Sequence, residues 1–319
     1  MTTGLSDGAR LAGLTDETRD ALRAAGLDVA DVLRVVRAAL DEDFRYGADV
    51  TSAATVAGRS VTAEVVAREP GVLSGVPVAL AVLDLLAEYQ AGTSATGSAG
   101  GAAVSRTVLA ADGTRIGPGD AVLRVEGPAV AVLGAERTML NFLTHLSGIA
   151  TATRAWADAI AGTGAVIRDT RKTTPGLRSL EKYAVRCGGG ENHRMGLGDA
   201  ALVKDNHVAA AGGVPAAVAA VRAAAPAGMV VEVECDSVAQ VREALAAGAR
   251  FVLLDNMSVT SLRAAVAVAR RYDGVRLEAS GGLRLSNARE VAETGVDYLA
   301  VGALTHSSPV LDLGLDAVG

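Results

Sequence analysis

The chain has three lysines, Lys172, Lys182 and Lys204, against 27 arginines spread over its 319 residues. A sequence that uses arginine for nearly every surface cation keeps lysine where a compact, flexible ammonium is wanted rather than a planar fork. All three lysines fall within residues 168–207, RDTRKTTPGLRSLEKYAVRCGGGENHRMGLGDAALVKDNH. This stretch holds eight lysines or arginines and two of the four histidines, although the whole chain carries a formal charge of −6. Cations concentrated inside an acidic protein point to a site for a small, highly anionic ligand. Arg171 and Arg194 offer forks that match carboxylates bidentately. The glycines at 188–190 let backbone approach a ligand, and His193, beside Arg194, is a candidate ligand contact. Lys182 lies in a helical pattern and reads as a packing or interface residue. His145 and His207 read as hydrogen-bonded structural residues, and Cys187 has no evident base beside it to make it a nucleophile.

Two later segments add anion-binding and cation-binding chemistry. LEASGG and AVGAL each place glycine just past a strand, at Gly281, Gly282 and Gly302, where backbone N–H groups can close around a phosphate. Ser280 adds a hydroxyl donor. Glu234, in VEVEC, and Asp255, in FVLLD, are carboxylates at the ends of successive strands. A carboxylate there must find a cation, a hydroxyl or water, and two of them beside a phosphate site suit Mg²⁺, directly or through water, or the hydroxyls of a ribose. Glu232 and Glu278 read as salt-bridge partners inside a barrel.

The elements that must position these residues are a set of strands. Short apolar runs near 165–168, 200–203, 229–233, 250–254, 275–279 and 297–301 alternate with alanine-rich helical stretches, which predicts a parallel sheet. Six such units are fewer than the eight of a complete barrel. Asp169, Arg171 and Lys172 follow the first strand and Lys204 the second. Glu234 closes the third, Asp255 the fourth, Ser280 the fifth, and Gly302 follows the sixth. Loops at the carboxyl ends of barrel strands converge on one mouth, so residues far apart in sequence can meet there.

The first half reads differently. Helical spacing runs from Thr15 to Leu40, with Thr15 and Asp16 as capping residues. A loop is expected over DEDFRYGADVTS at 41–52, then a strand at 61–67 and a helix from Val76 to Tyr89. The first fifteen residues read as frayed, and the low-complexity run 91–105 as a flexible loop. Turn signals at Asp112-Gly113 and Pro118-Gly119 separate short β-rich runs. That pattern suits small carriers of biotin or lipoate, but no lysine precedes residue 172 to serve as the attachment point.

Composition excludes several classes. Aromatics are 3% and the isoelectric point is near 5.3, which argues against stacking platforms and general nucleic-acid binding. Two cysteines without metal-ligand spacing do not make a secreted scaffold. No signal-peptide pattern opens the chain, and its most apolar window, 75–86, is too short to cross a bilayer. A cytoplasmic protein is the expectation.

The strings DTRKTTPGLRSLEKYAVRCGGGENHRMGL, LVKDNHV, VEVEC, LLDN, EASGG and AVGALTHS, in this order, closely resemble the quinolinate phosphoribosyltransferase family. The likeness runs from about residue 32 to 316. The resemblance implies a type II phosphoribosyltransferase fold: an N-terminal open α/β sandwich over 1–148, joined by the tail 305–319, and an incomplete α/β barrel of about six strands over 149–304. It implies transfer of phosphoribose from phosphoribosyl pyrophosphate to quinolinate with decarboxylation, in de novo NAD synthesis, with Mg²⁺ as cofactor. It further implies a homodimer in which Arg137 reaches the neighbouring site. Arg171, His193, Arg194 and Lys204, with Arg137, would hold quinolinate. Lys172, Glu234, Asp255, Ser280, Gly281, Gly282, Gly302 and His306 would contact the donor, with Glu234 and Asp255 toward Mg²⁺. Lys172, Glu234 and Asp255 would be the catalytic groups. The rival readings are a paralogous enzyme with another acidic acceptor and a non-catalytic phosphate-sensing barrel.

Overall fold

The computed structural model describes residues 13–93 and 104–318. Most of the low-complexity run 91–105 and of the first fifteen residues lies outside them. The chain divides into two units. One comprises the described residues up to Thr151, Thr174–Gly188 and the chain from Ser308; the other is Ala152–Thr173 and Gly189–Ser307.

In the first unit the expected long helix at 15–40 is two. The first, α1 (Asp16–Ala24), is capped by the Thr15 side chain. Gly26, at φ +65°, turns the chain, and Asp28 caps α2 (Val29–Phe44). A left-handed glycine followed by a fresh N-cap ends one helix and starts another, although the apolar spacing continues across both. The predicted loop at 41–52 is in part helical too: α2 runs on to Phe44, and Asp49 caps the short α3 (Val50–Thr55).

Strands β1 (Ser60–Ala67) and β2 (Gly71–Val72) come next. They are followed by α4 (Val76–Thr93), which apart from Asp84 is apolar and buried over residues 76–86, as a core helix should be. Asp112 accepts from the Gly75 and Val76 N–H groups that open α4. Then come β3 (Ser105–Val108), β4 (Arg115–Ile116), β5 (Ala121–Pro128) and the long α5 (Ala129–Ala159). Gly113 and Gly119 both take positive φ at the two predicted turns. Strands β1 and β5 pair antiparallel with Ala63 opposite Val125 and Val65 opposite Leu123, so one face is apolar and buried.

The second unit contains a six-stranded parallel sheet. Its strands are β6 (Val166–Arg168), β7 (Ala200–Val203), β8 (Val230–Cys235), β9 (Phe251–Asp255), β10 (Arg276–Ser280) and β11 (Tyr298–Ala300). Between β6 and β7 lies α6 (Arg178–Cys187), which groups with the first unit, as the expected domain division had not placed it. The order β6-β11-β10-β9-β8-β7 leaves β6 and β7 as edges, the open seam of an incomplete barrel. Helices α7 (Asp205–Ala211), α8 (Val214–Ala224), α9 (Val238–Ala246), α10 (Val259–Ala269), α11 (Ala288–Ala292) and α12 (Ala303–His306) connect or follow the later strands.

The sheet's two faces differ because side chains alternate. Ile167, Val203, Val233, Cys235, Val252, Leu254, Leu277, Ala279 and Leu299 form one buried apolar face. The opposite face carries Arg168, Glu232, Glu234, Leu253, Asp255, Glu278, Ser280 and Ala300. Register aligns Asp255 with Ser280, Ser280 with Ala300, and Ala300 with Arg168, so the polar ends come level.

The tail returns to the first unit as β12 (Leu313–Ala317), antiparallel to β1, giving the order β12-β1-β5-β3. Among the described residues no single helix is long and apolar enough to cross a membrane. The tail crosses α5 at Gly148, where a Cβ would collide with the Pro309 carbonyl. Gly148→Ala is therefore expected to cost about 1–3 kcal/mol by overpacking, seen as a lower Tm in calorimetry.

Candidate active site

A cavity of about 300 Å³ opens at the carboxyl ends of the parallel strands. It is lined by Thr170, Arg171, Lys172, His193, Arg194, Leu202, Lys204, Glu234, Leu253, Asp255, Glu278, Ser280 and Ala300. Eight residues expected in the site from sequence thus lie around one space: Arg171, Lys172, His193, Arg194, Lys204, Glu234, Asp255 and Ser280. Gly302 belongs to the same rim, because a Cβ there would lie 3.0 Å from Lys172 Cδ and 3.7 Å from His306 Nε2. Gly281 and Gly282 take φ of +80° and +65°. A Cβ at 281 would stand 3.0 Å from Asn256 N, so the turn after β10 fits only glycine against the residue that follows Asp255. Arg137 is exposed on α5, in the first unit.

Elsewhere arginines pair with acids, as in Arg68–Asp316, Arg276–Asp297 and Arg289–Glu293. Arg171, Lys172, Arg194 and Lys204 form no ion pair within 4.0 Å among the described residues. The Nε atoms of Arg171 and Arg194 are buried and have no hydrogen-bond partner among the described residues. Burial, and then the charge of Arg171, lowers the pKa of Arg194. The wall is thus cationic and unneutralised from within, which suits an anionic ligand.

The acidic side of the cavity has complementary chemistry. Burial raises the pKa of Glu234, Lys204 opposes that shift, and Asp255 reinforces it. A hard cation beside the cavity would relieve the charge that Asp255 places on Glu234, and the oxygen donors of the two residues suit Mg²⁺.

Beneath this rim lies a buried charged layer. Arg168 Nη1 donates to Glu278 Oε2 at 2.7 Å and stacks over Tyr298, 4.4 Å from the ring centre. His193 Nε2 lies 2.8 Å from Glu232 Oε2 and 3.5 Å from Glu278 Oε1. The Arg194 backbone N–H donates to His193 Nδ1 at 2.8 Å. An accepting Nδ1 leaves the proton on Nε2, which then donates to Glu232. Three potential metal-ligand atoms meet there, but an Nε2 that carries a proton has no lone pair for a metal. The expected contact of His193 with a ligand carboxylate is modified accordingly: the ring lines the cavity while both nitrogens are engaged by the protein. Glu232 and Glu278 are the inner-barrel ion partners that the sequence suggested.

Five lining residues were not singled out from sequence as ligand contacts: Thr170, Leu202, Leu253, Glu278 and Ala300. Strand alternation holds the signal for Glu278, two residues before Ser280 on the same face. His207 is structural, its Nδ1 accepting from the Lys204 N–H at 3.0 Å, and His145 Nε2 meets Glu181 Oε1 at 3.0 Å. Lys182 is fully buried.

The chain matches two models of one family. The C-terminal domain of quinolinate phosphoribosyl transferase matches residues 149–316 and the N-terminal domain residues 49–147. A nicotinate-nucleotide pyrophosphorylase (carboxylating) of Mycobacterium leprae is 55% identical over 285 residues, 88% of this chain and 95% of the relative. The enzyme of that name from Homo sapiens is 43% identical over 207 residues, 64% of this chain and 70% of the relative. The solved nicotinate-nucleotide pyrophosphorylase of Francisella tularensis superposes with a TM-score of 0.82 at 37% identity, covering 90% of this chain and 96% of that one.

Burial, and then the charge of Glu232, pushes the Glu278 pKa up to about 7 from its ordinary 4.5. The folded protein therefore binds a proton that the unfolded chain releases. The associated stability is present below the ordinary value and is lost as pH rises through about 7. Between pH 5 and pH 8 the wild-type Tm is expected to fall by ~3 °C more than that of Glu278→Gln. Parallel calorimetric profiles for the two proteins would remove the proton from Glu278.

Proposed function

Because the chain belongs to the quinolinate phosphoribosyltransferase family, we propose that it joins quinolinate to phosphoribosyl pyrophosphate in de novo NAD synthesis, giving nicotinate mononucleotide, pyrophosphate and CO₂. One observation carries this reading. Four cations with no carboxylate partner within 4.0 Å among the described residues face a cavity that also holds two adjacent acids and a serine at the ends of parallel strands. Two anionic reactants supply the missing charge. The same requirement favours quinolinate, a dianion, over an acceptor with a single carboxylate.

Arg171, Arg194 and Lys204 hold the two carboxylates of quinolinate, and His193 fixes the main chain of Arg194. Lys172, Ser280, Gly281, Gly282, Gly302 and His306 face the donor's phosphates. As the bond from ribose C1 to pyrophosphate breaks, positive charge grows on the sugar and negative charge on the leaving group. Lys172 meets the negative charge, an interaction stronger in the transition state than before it. Glu234 and Asp255 orient the ribose hydroxyls and favour the cationic sugar. They are also the residues that would hold Mg²⁺, which supplies neutralising charge to pyrophosphate. The ring nitrogen of quinolinate then bonds to C1 and becomes cationic. That charge stabilises the electron pair left on the adjacent carbon when its carboxylate departs as CO₂. A proton from solvent completes the product, and no covalent enzyme intermediate is needed.

Arg137, exposed on α5, reaches the site of a second copy in a homodimer, and the protein works in the cytoplasm. The family likeness and the charge that quinolinate and donor together bring support the shared site.

The decisive assay mixes purified protein with quinolinate, phosphoribosyl pyrophosphate and Mg²⁺. Nicotinate mononucleotide and pyrophosphate should form in equal amounts as quinolinate disappears. Donor binding without pyrophosphate release would instead identify a phosphate sensor, and turnover of another acidic acceptor in preference would identify a paralogous enzyme. Lys172→Ala and Arg194→Ala should each lower kcat/KM by about 100-fold or more with Tm unchanged. In dimers re-formed from Arg137→Ala and Lys172→Ala subunits, one site in each mixed dimer is intact, so about a quarter of wild-type turnover should return. No recovery in verified mixed dimers would count against sharing.

A further inference from the structure

We propose that Asp169 is a positioning residue for the acceptor pocket, pinning the 191–194 segment so that Arg194 stands where the quinolinate carboxylates arrive. The inference rests on the reading of Arg194 as an acceptor contact. Asp169 directly follows β6, is fully buried and is not among the residues lining the cavity. Any effect it has on the acceptor therefore passes through other residues.

Its carboxylate is engaged on both oxygens by consecutive residues of that segment. Oδ1 accepts from the His193 backbone N–H at 2.9 Å, and Oδ2 accepts from Asn192 Nδ2 at 2.5 Å. The main chain adds two bonds that lay the segment beside β6, from Asp169 N to Glu191 O at 3.2 Å and from Glu191 N to Ile167 O at 2.8 Å. Arg194 then inherits its place. Its backbone N–H is bonded to His193 Nδ1, the other side of that ring is held by Glu232, and its Nη1 donates to the Ala200 carbonyl at 2.9 Å. A short carboxylate bonded to two successive residues fixes position and rotation together, which a single bond does not.

The clamp has a load to bear. Arg194 is partly buried and repelled by Arg171, and both guanidiniums keep a buried Nε without a partner. Released from Asp169, the segment would relax away from its like-charged neighbour toward water. An asparagine at 169 keeps one acceptor but turns an N–H₂ donor toward another donor, leaving a buried group unsatisfied.

The test compares Asp169→Asn, Asn192→Ala and Arg194→Ala, with each substrate varied in turn and melting followed in parallel. Asp169→Asn should raise KM for quinolinate by about tenfold while KM for phosphoribosyl pyrophosphate changes less than about twofold. Asn192→Ala, which removes the contact to Asp169 Oδ2, should raise the quinolinate KM by about threefold. Should Asp169→Asn fail to fold, Asn192→Ala decides alone. Unchanged quinolinate KM in the folded variants, or equal shifts for both substrates, overturns the proposal, since a merely structural acid would not select one substrate. If Arg194→Ala raises the quinolinate KM and these variants do not, only the role of Asp169 falls. If Arg194→Ala itself leaves that KM unchanged, the acceptor-pocket reading falls and this inference with it.

Discussion

Like-charge repulsion at the mouth of the parallel sheet is the constraint around which this site is organised. Arg171, Lys172, Arg194 and Lys204 face one cavity. Two unit charges ~6 Å apart repel by ~3 kcal/mol at an effective dielectric of about 20. A fold that brings four together must hold them by other means. It does so with main-chain bonds, with the Ala200 carbonyl on Arg194, and with a buried carboxylate behind the 191–194 segment. Among the described residues no acid comes within ion-pair distance of these four cations, and that leaves the charge available to a substrate. In this sense the site is assembled in advance for two anions whose own repulsion must also be overcome.

The layer below shows how a buried charge can be kept from spoiling that arrangement. Glu278 and Glu232 would cancel the cations above if they pointed upward. Instead Glu278 is taken by Arg168 and Glu232 by His193. The imidazole is neutral and fixed in one tautomer by the Arg194 N–H. Burial first, and then the charge of Glu232, raise the proton affinity of Glu278. Protonation of Glu278, favoured as pH falls below about 7, weakens the repulsion between the floor of the pocket and a dianion.

Much of this was legible in the sequence. The six strands lie close to their apolar runs because buried parallel strands need continuous apolar stretches and end at polar or glycine residues. The glycines at 281 and 282 were legible because a strand-to-helix turn with positive φ has few other solutions. Continuous spacing over 15–40 misled, since the break comes from Gly26 and the Asp28 cap rather than from any change of period. The place of 174–188 was not legible at all. An amphipathic helix states that one face is buried, and says nothing about which body buries it.

What the chain determined by itself is local: the identity and approximate order of its chemical groups, the period that sends Glu232, Glu234, Asp255, Glu278 and Ser280 to one face, and the excess of cations in a single stretch. Tertiary structure alone decided how those groups are used. Whether His193 meets a ligand or Glu232, 39 positions away, depends on the register of separate strands. So does the choice between Asp169 as a rim residue and as a buried clamp. Periodicity and composition act over a few residues, whereas hydrogen-bond partnership in a buried layer is settled by distances that only the folded sheet creates.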